Sequence, residues 1–533
     1  MSNSIRMLLA QVNPTVGAIE SNTELVANII KAYGSNHDII VFPELMLTGY
    51  PPEDLLLRPA LMPRVTAALE ALCKQSNKAF VVVGHPYEEA GMQYNALSIL
   101  HQGKIIHTYK KQHLPNKGVF DEKRYFVPGP EDTFTLNIHD KTLGFRICED
   151  IWNQGPIEQC IEKGAEIVVC INASPFEANK HAARLGLLKQ HLHQGTAFVY
   201  VNMTGGQDEL VFDGQSFVTD EQGEIKVLAD AFAEDLVSVE FKDKTITGKQ
   251  CALLDDTALL YQALVTGLKE YVLKNGFSDV VLGLSGGIDS ALTLALAVDA
   301  LGAGRVHPIL LPSRYTSDIS NQDAIEMVKN LGVNHQIMSI EDGFKAMQST
   351  LKPHLTDQTI PGITAQNMQA RLRGLLLMAY SNSTGALLLS TSNKSESAVG
   401  YTTLYGDMCG GFAPIKDVLK TEVYKLAHYR NSVNAVIPER IITRAPSAEL
   451  APNQTDQDTL PGYDELDEIL NLYMNEKLTA EEIAAKGFAY DTVKQVTRMV
   501  TQNEYKRRQA PPGTKVTSRA FGRDWRYPIT SKF

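Results

Sequence analysis

No Cys-x-x-Cys pair occurs anywhere in the 533 residues: the six cysteines (Cys73, Cys148, Cys160, Cys170, Cys251, Cys409) are scattered. That spacing argues against a zinc knuckle and a disulfide framework, and it fits a reducing compartment. Long apolar runs are missing as well. Nothing approaches the ~18 uninterrupted apolar residues of a membrane span, and Met1 to Gln11 carries no basic segment ahead of a long apolar one. A cytoplasmic protein is expected, with no membrane partner. Positive charge is in deficit, with 50 Lys+Arg against 61 Asp+Glu and a net charge of −11, which argues against general nucleic-acid or anionic-membrane binding. Low-complexity tracts and internal repeats are absent too.

What remains is the composition of an ordinary globular protein, 44% hydrophobic and 21% charged. Single cores seldom grow beyond ~250–300 residues, so the length calls for two or more domains. In the first half, short apolar runs at 6–12, 39–42, 80–84, 144–147, 167–171 and 198–202 alternate with helical stretches such as 22–33. Runs of this kind are what buried strands of an α/β layer give. Three reactive groups stand where such runs end: Glu44, Lys111 and Cys148. Alone, each has a plain structural reading as a helix cap, a solvated lysine and a small buried hydrophobe. Together they supply a nucleophile, a proton-accepting carboxylate and an ammonium to steady an oxyanion.

The strings around them, Phe42-Pro-Glu-Leu-Met-Leu-Thr-Gly-Tyr-Pro-Pro52, Tyr109-Lys-Lys-Gln-His-Leu-Pro115 and Ile147-Cys-Glu-Asp-Ile-Trp152, resemble the nitrilase superfamily. The resemblance implies a four-layer α-β-β-α sandwich, with Glu44 as general base, Lys111 beside the tetrahedral intermediate and Cys148 as the thioester-forming nucleophile. It also implies the Glu149 N–H as an oxyanion donor, and Ser174 and Lys180 as the residues gripping L-glutamine. One departure is Lys117, where relatives usually carry Tyr. Residues 1–245 are assigned to this domain and 246–256 to a short linker. With no Pro/Gly/Ser-rich tether, the halves are expected to pack together.

In residues 257–533, strand-like and helical runs again alternate, which predicts parallel strands with crossover helices. Gly283-Leu-Ser-Gly-Gly-Ile-Asp-Ser290 joins an apolar run to a helical one, leaving N–H groups free at a helix start to hold an anion. It lacks the Lys-Ser or Lys-Thr ending of a Walker A loop. The loop resembles that of the N-type ATP pyrophosphatases, whose fold is a doubly wound parallel α/β sheet. Asn367-Met-Gln-Ala-Arg-Leu-Arg373, Asn393-Lys-Ser-Glu396 and Tyr405-Gly-Asp407 narrow the resemblance to the NAD synthetase family. Ser392 and Leu404 are mild departures from it.

This resemblance implies ATP contacts from Gly283, Leu284, Ser285, Gly286, Gly287, Ile288, Asp289, Ser290 and Thr391, with Lys420 and Ser447 in weaker support. Mg²⁺ would sit on Asp289. Asn367, Glu396, Asp407 and Lys506 would contact deamido-NAD⁺. For Glu396 and Asp407 the alternative is helix capping, and for Lys420 a solvated charge. The basic stretch 504–526 is expected to close over a pyrophosphate and to become ordered on binding. Taken together, the two resemblances imply a ligase that amidates deamido-NAD⁺ through an acyl-adenylate, fed by ammonia from glutamine through a channel, and a homo-oligomer. Two readings stay open beside it: another acceptor such as a purine nucleotide, aspartate or a tRNA base, and a non-catalytic nucleotide sensor.

Overall fold

A computed structural model gives the fold and describes residues 4–178, 180, 183, 184, 186, 195–452 and 454–531. The chain divides into two units, Met1–Leu254 and Asp255–Phe533. The first begins with β1 (Ser4–Gln11), α1 (Ile19–Tyr33), β2 (Ile39–Val41), α2 (Leu61–Cys73), β3 (Phe80–Glu89), β4 (Met92–His101) and β5 (Lys104–Lys110). Next come β6 (Thr135–Ile138), β7 (Lys141–Ile147), α3 (Pro156–Glu162), β8 (Ile167–Asn172) and β9 (Ala197–Asn202). A small hairpin of β10 (Thr204–Gln207) and β11 (Leu210–Asp213) follows, then β12 (Phe217–Thr219), β13 (Ile225–Leu228), β14 (Asp235–Lys242) and β15 (Thr245–Gly248).

Two sheets result, ordered β15-β14-β1-β2-β3-β4-β5 and β13-β12-β9-β8-β7-β6. At the heart of each lies a parallel trio, β1-β2-β3 and β7-β8-β9, flanked by antiparallel neighbours. The two-residue period of a strand sorts the side chains. On β1, Ile5, Met7 and Leu9 join Phe145, Ile147, Val169 and Ile171 in a core between the sheets, while Leu8 and Ala10 pack with Val26, Ile29, Val65 and Leu69 of α1 and α2. On β8, Val168 and Cys170 turn the other way, toward Ile157 and Cys160 of α3. The layers are helix, sheet, sheet, helix, as the resemblance implied. Burial on both faces is why these strands read as unbroken apolar runs.

Residues 246–248 differ from expectation. They were assigned to the linker, yet with Thr245 they form β15, paired antiparallel with β14 at the edge of the sheet. An edge strand has one neighbour and a wet side, so Thr245 and Thr247 carry no apolar signal.

The second unit opens with α4 (Asp256–Lys274), whose start is capped by the Asp255 carboxylate accepting from Ala258 N at 2.8 Å. It continues through β16 (Val280–Gly283), α5 (Ile288–Leu301), β17 (Val306–Leu310), α6 (Asp318–Leu331), β18 (Gln336–Ile337) and α7 (Glu341–Leu351). Then come α8 (Gly362–Thr384), β19 (Leu387–Leu389), α9 (Lys394–Val399) and α10 (Lys420–Val433). All four strands are parallel, in the order β18-β17-β16-β19. The chain reverses its direction of winding between β16 and β19, which opens a crevice at their carboxyl ends. Among the described residues no helix is long and apolar enough to cross a membrane.

One buried side chain makes the first unit pH-sensitive. His85 on β3 donates from Nδ1 to the Pro86 carbonyl at 2.9 Å and accepts at Nε2 from Ser98 Oγ at 2.8 Å. Burial pushes its pKa from 6.5 down to about 4. Between those values the unfolded chain binds a proton that the folded chain excludes, so stability present at neutral pH is lost as the pH falls. Urea unfolding is expected to show a loss of about 2 kcal/mol from this residue between pH 7 and pH 5. In His85→Gln that share of the pH dependence should vanish.

Candidate functional site

Three strand ends converge in the first unit. Glu44 lies three residues beyond β2, Lys111 directly follows β5, and Cys148 directly follows β7. All three are buried. The Lys111 ammonium donates to Glu44 Oε1 at 2.7 Å and to both oxygens of Glu122 at 2.9 Å. Glu44 is fixed at both oxygens, by Asn95 Nδ2 at 2.7 Å and by the Ala173 N–H at 2.9 Å. Tyr50 donates its hydroxyl to Glu122 at 2.9 Å.

Glu122 was invisible in the sequence. It sits in the run Asp121-Glu-Lys-Arg124, which reads as a solvated charged turn, but only 5% of it is exposed. No periodicity would have singled it out, because its burial depends on residues distant along the chain.

Burial alone would depress the Lys111 ammonium, but Glu122 and Glu44 reverse that and hold it well above the usual lysine range. Burial likewise drives the Glu122 carboxyl up to about 7, against the pull of Lys111. Burial, reinforced by Glu44 and opposed by Lys111, raises the Cys148 thiol well above its ordinary range. Cys148 therefore rests as a thiol, and a base must take its proton during attack. The nucleophile sits on a sharp turn, with its backbone in the left-handed region at φ +43°.

Asp150 joins the thiol's turn to the ammonium's loop. It accepts from the Ile147 N–H at 3.2 Å on one side and from the Gln112 and His113 N–H groups at 3.1 and 2.8 Å on the other, with the Tyr109 hydroxyl at 2.8 Å. Ser174 follows β8 and is buried. Its hydroxyl and carbonyl both accept from Arg184, which is paired with Asp213 at 2.7 Å. Lys180 sits over the Phe120 ring at 5.9 Å, and Phe120 in turn packs on Tyr50. Lys117 extends toward Glu149, Nζ to Oε1 3.6 Å. Charge thus surrounds the thiol without neutralising it, which suits attack on an uncharged acyl compound.

The second unit holds a cavity of about 620 Å³ at the carboxyl ends of β16, β17 and β19. Gly283 to Ser290, Thr391, Lys420, Ser447, Asn367, Glu396, Asp407 and Lys506 all line it. At the glycine loop, Gly286 has φ +81°, and a Cβ there would lie 2.4 Å from the Ser320 carbonyl oxygen. Gly287 precedes the first turn of α5, whose N–H groups have no partner within the helix. This turn is where an anion would be held.

Asp289 is held by Lys420 Nζ at 2.5 Å and Asn393 Nδ2 at 2.8 Å, and Lys420 also reaches Glu396 Oε1 at 3.2 Å. Lys420 is thus buried and paired, not a solvated charge. Burial pushes the Glu396 carboxyl up to about 8, and Asp289 and Asp456 raise it while Lys420 opposes them. This set of oxygens suits a hard divalent cation such as Mg²⁺. Burial raises Asp407 to about 6. Lys506 donates to the carbonyls of Gly400 and Thr402 at 2.7 and 2.9 Å, and Asn367 accepts from Thr403 Oγ1 at 3.0 Å. Further along, the C-terminal stretch packs through buried Phe521 and Trp525, with Lys394 paired to Asp417 at 2.8 Å and bonded to Thr517 at 2.7 Å.

Comparison with known families and proteins agrees with this division of labour. Residues 9–249 match the carbon-nitrogen hydrolase family and residues 260–510 match NAD synthase. The glutamine-dependent NAD(+) synthetase of Xanthomonas campestris pv. campestris is 47% identical, covering 100% of this chain and 98% of its own. That of Aquifex aeolicus is 45% identical over 99% and 100%. Among solved structures, the glutamine-dependent NAD⁺ synthetase of Acinetobacter baumannii, in complex with adenosine diphosphate, aligns with a TM-score of 0.81 at 44% identity, covering 99% of this chain and 98% of that one. A glutamine-dependent NAD(+) synthetase from Cytophaga hutchinsonii aligns with a TM-score of 0.83 at 25% identity, over 99% and 98%.

Because the Asp150 carboxylate serves three backbone N–H groups in the interior, Asp150→Ala leaves them without an acceptor. The expected cost is about 3 kcal/mol, read from urea unfolding at pH 7. Tyr109→Phe, which removes only one hydroxyl bond, should cost about 1 kcal/mol.

Proposed function

The chain belongs to the family of glutamine-dependent NAD(+) synthetases, and on that premise we propose that it amidates deamido-NAD⁺ to NAD⁺, cleaving ATP to AMP and pyrophosphate and drawing ammonia from L-glutamine. The observation that carries this reading is the coexistence in one chain of a buried Glu44-Lys111-Cys148 cluster and a cavity lined by the whole glycine loop.

At the first site Glu44 takes the proton of the Cys148 thiol as sulfur attacks the glutamine side-chain amide. The Lys111 ammonium and the Glu149 N–H stabilise the oxyanion of the tetrahedral intermediate. Glu44 then returns the proton to the departing ammonia, and water hydrolyses the thioester to glutamate with Glu44 again as base. Glu122 acts through Lys111, keeping it charged and in place. Ser174 and Lys180 grip the amino-acid head, and Lys117 takes the place usual for Tyr.

At the second site the nicotinate carboxylate is a poor electrophile, since it would have to expel an oxide. Its attack on the α-phosphorus of ATP gives an acyl-adenylate and frees pyrophosphate, which the first-turn N–H groups of α5 are placed to receive. Bound at Asp289, Mg²⁺ would offset the charge that builds up on the phosphates. Gly283 to Ser290, Thr391, Lys420 and Ser447 hold ATP, and Asn367, Glu396, Asp407 and Lys506 hold the dinucleotide. Ammonia displaces AMP. In neutral water ammonia is mostly protonated and non-nucleophilic, which is why a sheltered supply from glutamine is favoured over free ammonium. The same reading makes the protein a cytoplasmic homo-oligomer.

The direct test supplies glutamine, ATP, Mg²⁺ and deamido-NAD⁺ and measures NAD⁺, AMP, pyrophosphate and glutamate, expected in equal amounts. Cys148→Ala should abolish glutamine-driven NAD⁺ formation and spare the rate with added ammonium. Asp289→Ala should abolish both, and a retained ammonium-driven rate would refute its assignment.

A further inference from the structure

α9 is only six residues long, Lys394–Val399. A helix so short closes about two internal hydrogen bonds and does not hold its place unaided. Yet groups at its start bear directly on the nucleotide cavity. Asn393 Nδ2 donates to Asp289 Oδ1 at 2.8 Å, its Oδ1 accepts from the Glu396 N–H at 2.9 Å, and Glu396 Oε1 accepts from Lys420 at 3.2 Å. The partners that fix α9 come from the far end of the chain. Lys394 is buried and does not line the cavity. Its ammonium donates to Thr517 Oγ1 at 2.7 Å and to the Arg519 carbonyl at 2.9 Å, and it pairs with Asp417 at 2.8 Å. Asp417 in turn accepts from the Val516 and Thr517 N–H groups at 2.9 and 2.7 Å. Where the helix ends, Arg507 donates to the Ala398 carbonyl at 2.7 Å, Asn503 to the Val399 carbonyl at 2.9 Å and Lys506 to the Gly400 carbonyl at 2.7 Å. Two of these three donors are cations, the charge that a helix C-terminus favours. Gly400 has φ +73°, and a Cβ there would lie 2.1 Å from Asn503 Cγ, so only glycine lets Asn503 approach.

We infer that residues 503–519 form a clamp that seats α9 from both ends, and that Lys394 and Thr517 are positioning residues for the nucleotide site. They act through Asn393 and Glu396, which set the directions of the Asp289 carboxylate and the Lys420 ammonium. A lysine taken out of water must meet its partners closely. The Thr517 hydroxyl accepts from Lys394 and donates to Asp417 at 2.9 Å, so the three groups close on one another and fix how α9 is turned. With this end released, α9 is held only by its last carbonyls and can pivot about them. A shift of roughly 1 Å at Asn393 would stretch its bond to Asp289 beyond hydrogen-bond range. The inference rests on reading the cavity as the ATP site, and a measurement made without nucleotide keeps the two separable.

Hydrogen exchange of the full chain without ligands tests the clamp itself. In Lys394→Met and in Thr517→Val the amides of residues 396–400 should exchange at least about tenfold faster than in the wild type, with those of the first unit unchanged. Kinetics test the positioning role. Ammonium-driven NAD⁺ synthesis by Thr517→Val should need about tenfold more Mg²⁺ to reach half its maximal rate, and excess Mg²⁺ should restore the wild-type rate. A loss of rate that no Mg²⁺ concentration restores would mark a merely structural role and overturn the inference. Should Lys394→Met not fold, Thr517→Val, which keeps the side-chain volume, decides alone. Unchanged exchange at 396–400 overturns the clamp, and faster exchange with unchanged Mg²⁺ dependence in an active enzyme overturns the positioning role. If exchange quickens but the wild type makes no NAD⁺, the clamp stands and the ATP reading of the cavity falls.

Discussion

A lysine ammonium sealed inside the protein needs anions within reach, and the first unit is arranged to meet that demand. Lys111 is 1% exposed. Taking an ammonium of this kind out of water costs several kcal/mol unless carboxylates meet it at hydrogen-bond distance. Glu44 and Glu122 do so from different parts of the chain, one after β2 and one in the turn beyond β5. Each carboxylate must then be held in turn, by Asn95, by the Ala173 N–H and by Tyr50. The strand ends are drawn to one point because a misplaced end would leave one of these charges alone. The thiol gains a fixed base and a fixed cation from the same arrangement.

The second unit uses the same physics to a different end. Lys420 is buried and paired with Asp289 and Glu396, and it lies where the first turn of α5 faces the cavity.

Much of this was legible in the sequence, and the exceptions share a cause. The parallel core strands declared themselves because burial on both faces removes polar residues from consecutive positions. Glu44, Lys111 and Cys148 stood out because each follows such a run. α6 begins and ends where its Ser317 cap and Gly332 stop place it. By contrast, α5 starts at Ile288, inside the Gly283–Ser290 string, since its first turn serves the glycine loop. Glu122 and Asp150 were missed because an acid on a polar turn looks the same in sequence whether it faces water or the interior. β15 was missed because an edge strand need not be apolar. Lys394 was read only as part of a motif, whereas it ties Asp417 and Thr517 together.

The left-handed backbone at Cys148 bears on how substitutions there should be interpreted. Branched side chains resist that conformation, alanine tolerates it with strain, and glycine adopts it freely. A branched replacement at this position therefore alters the geometry of the turn as well as removing sulfur, whereas alanine and glycine both remove the sulfur and differ only in how easily they hold the turn. Comparing glycine with alanine separates them: whatever differs between two thiol-free proteins reports the shape of the elbow, not the loss of the nucleophile.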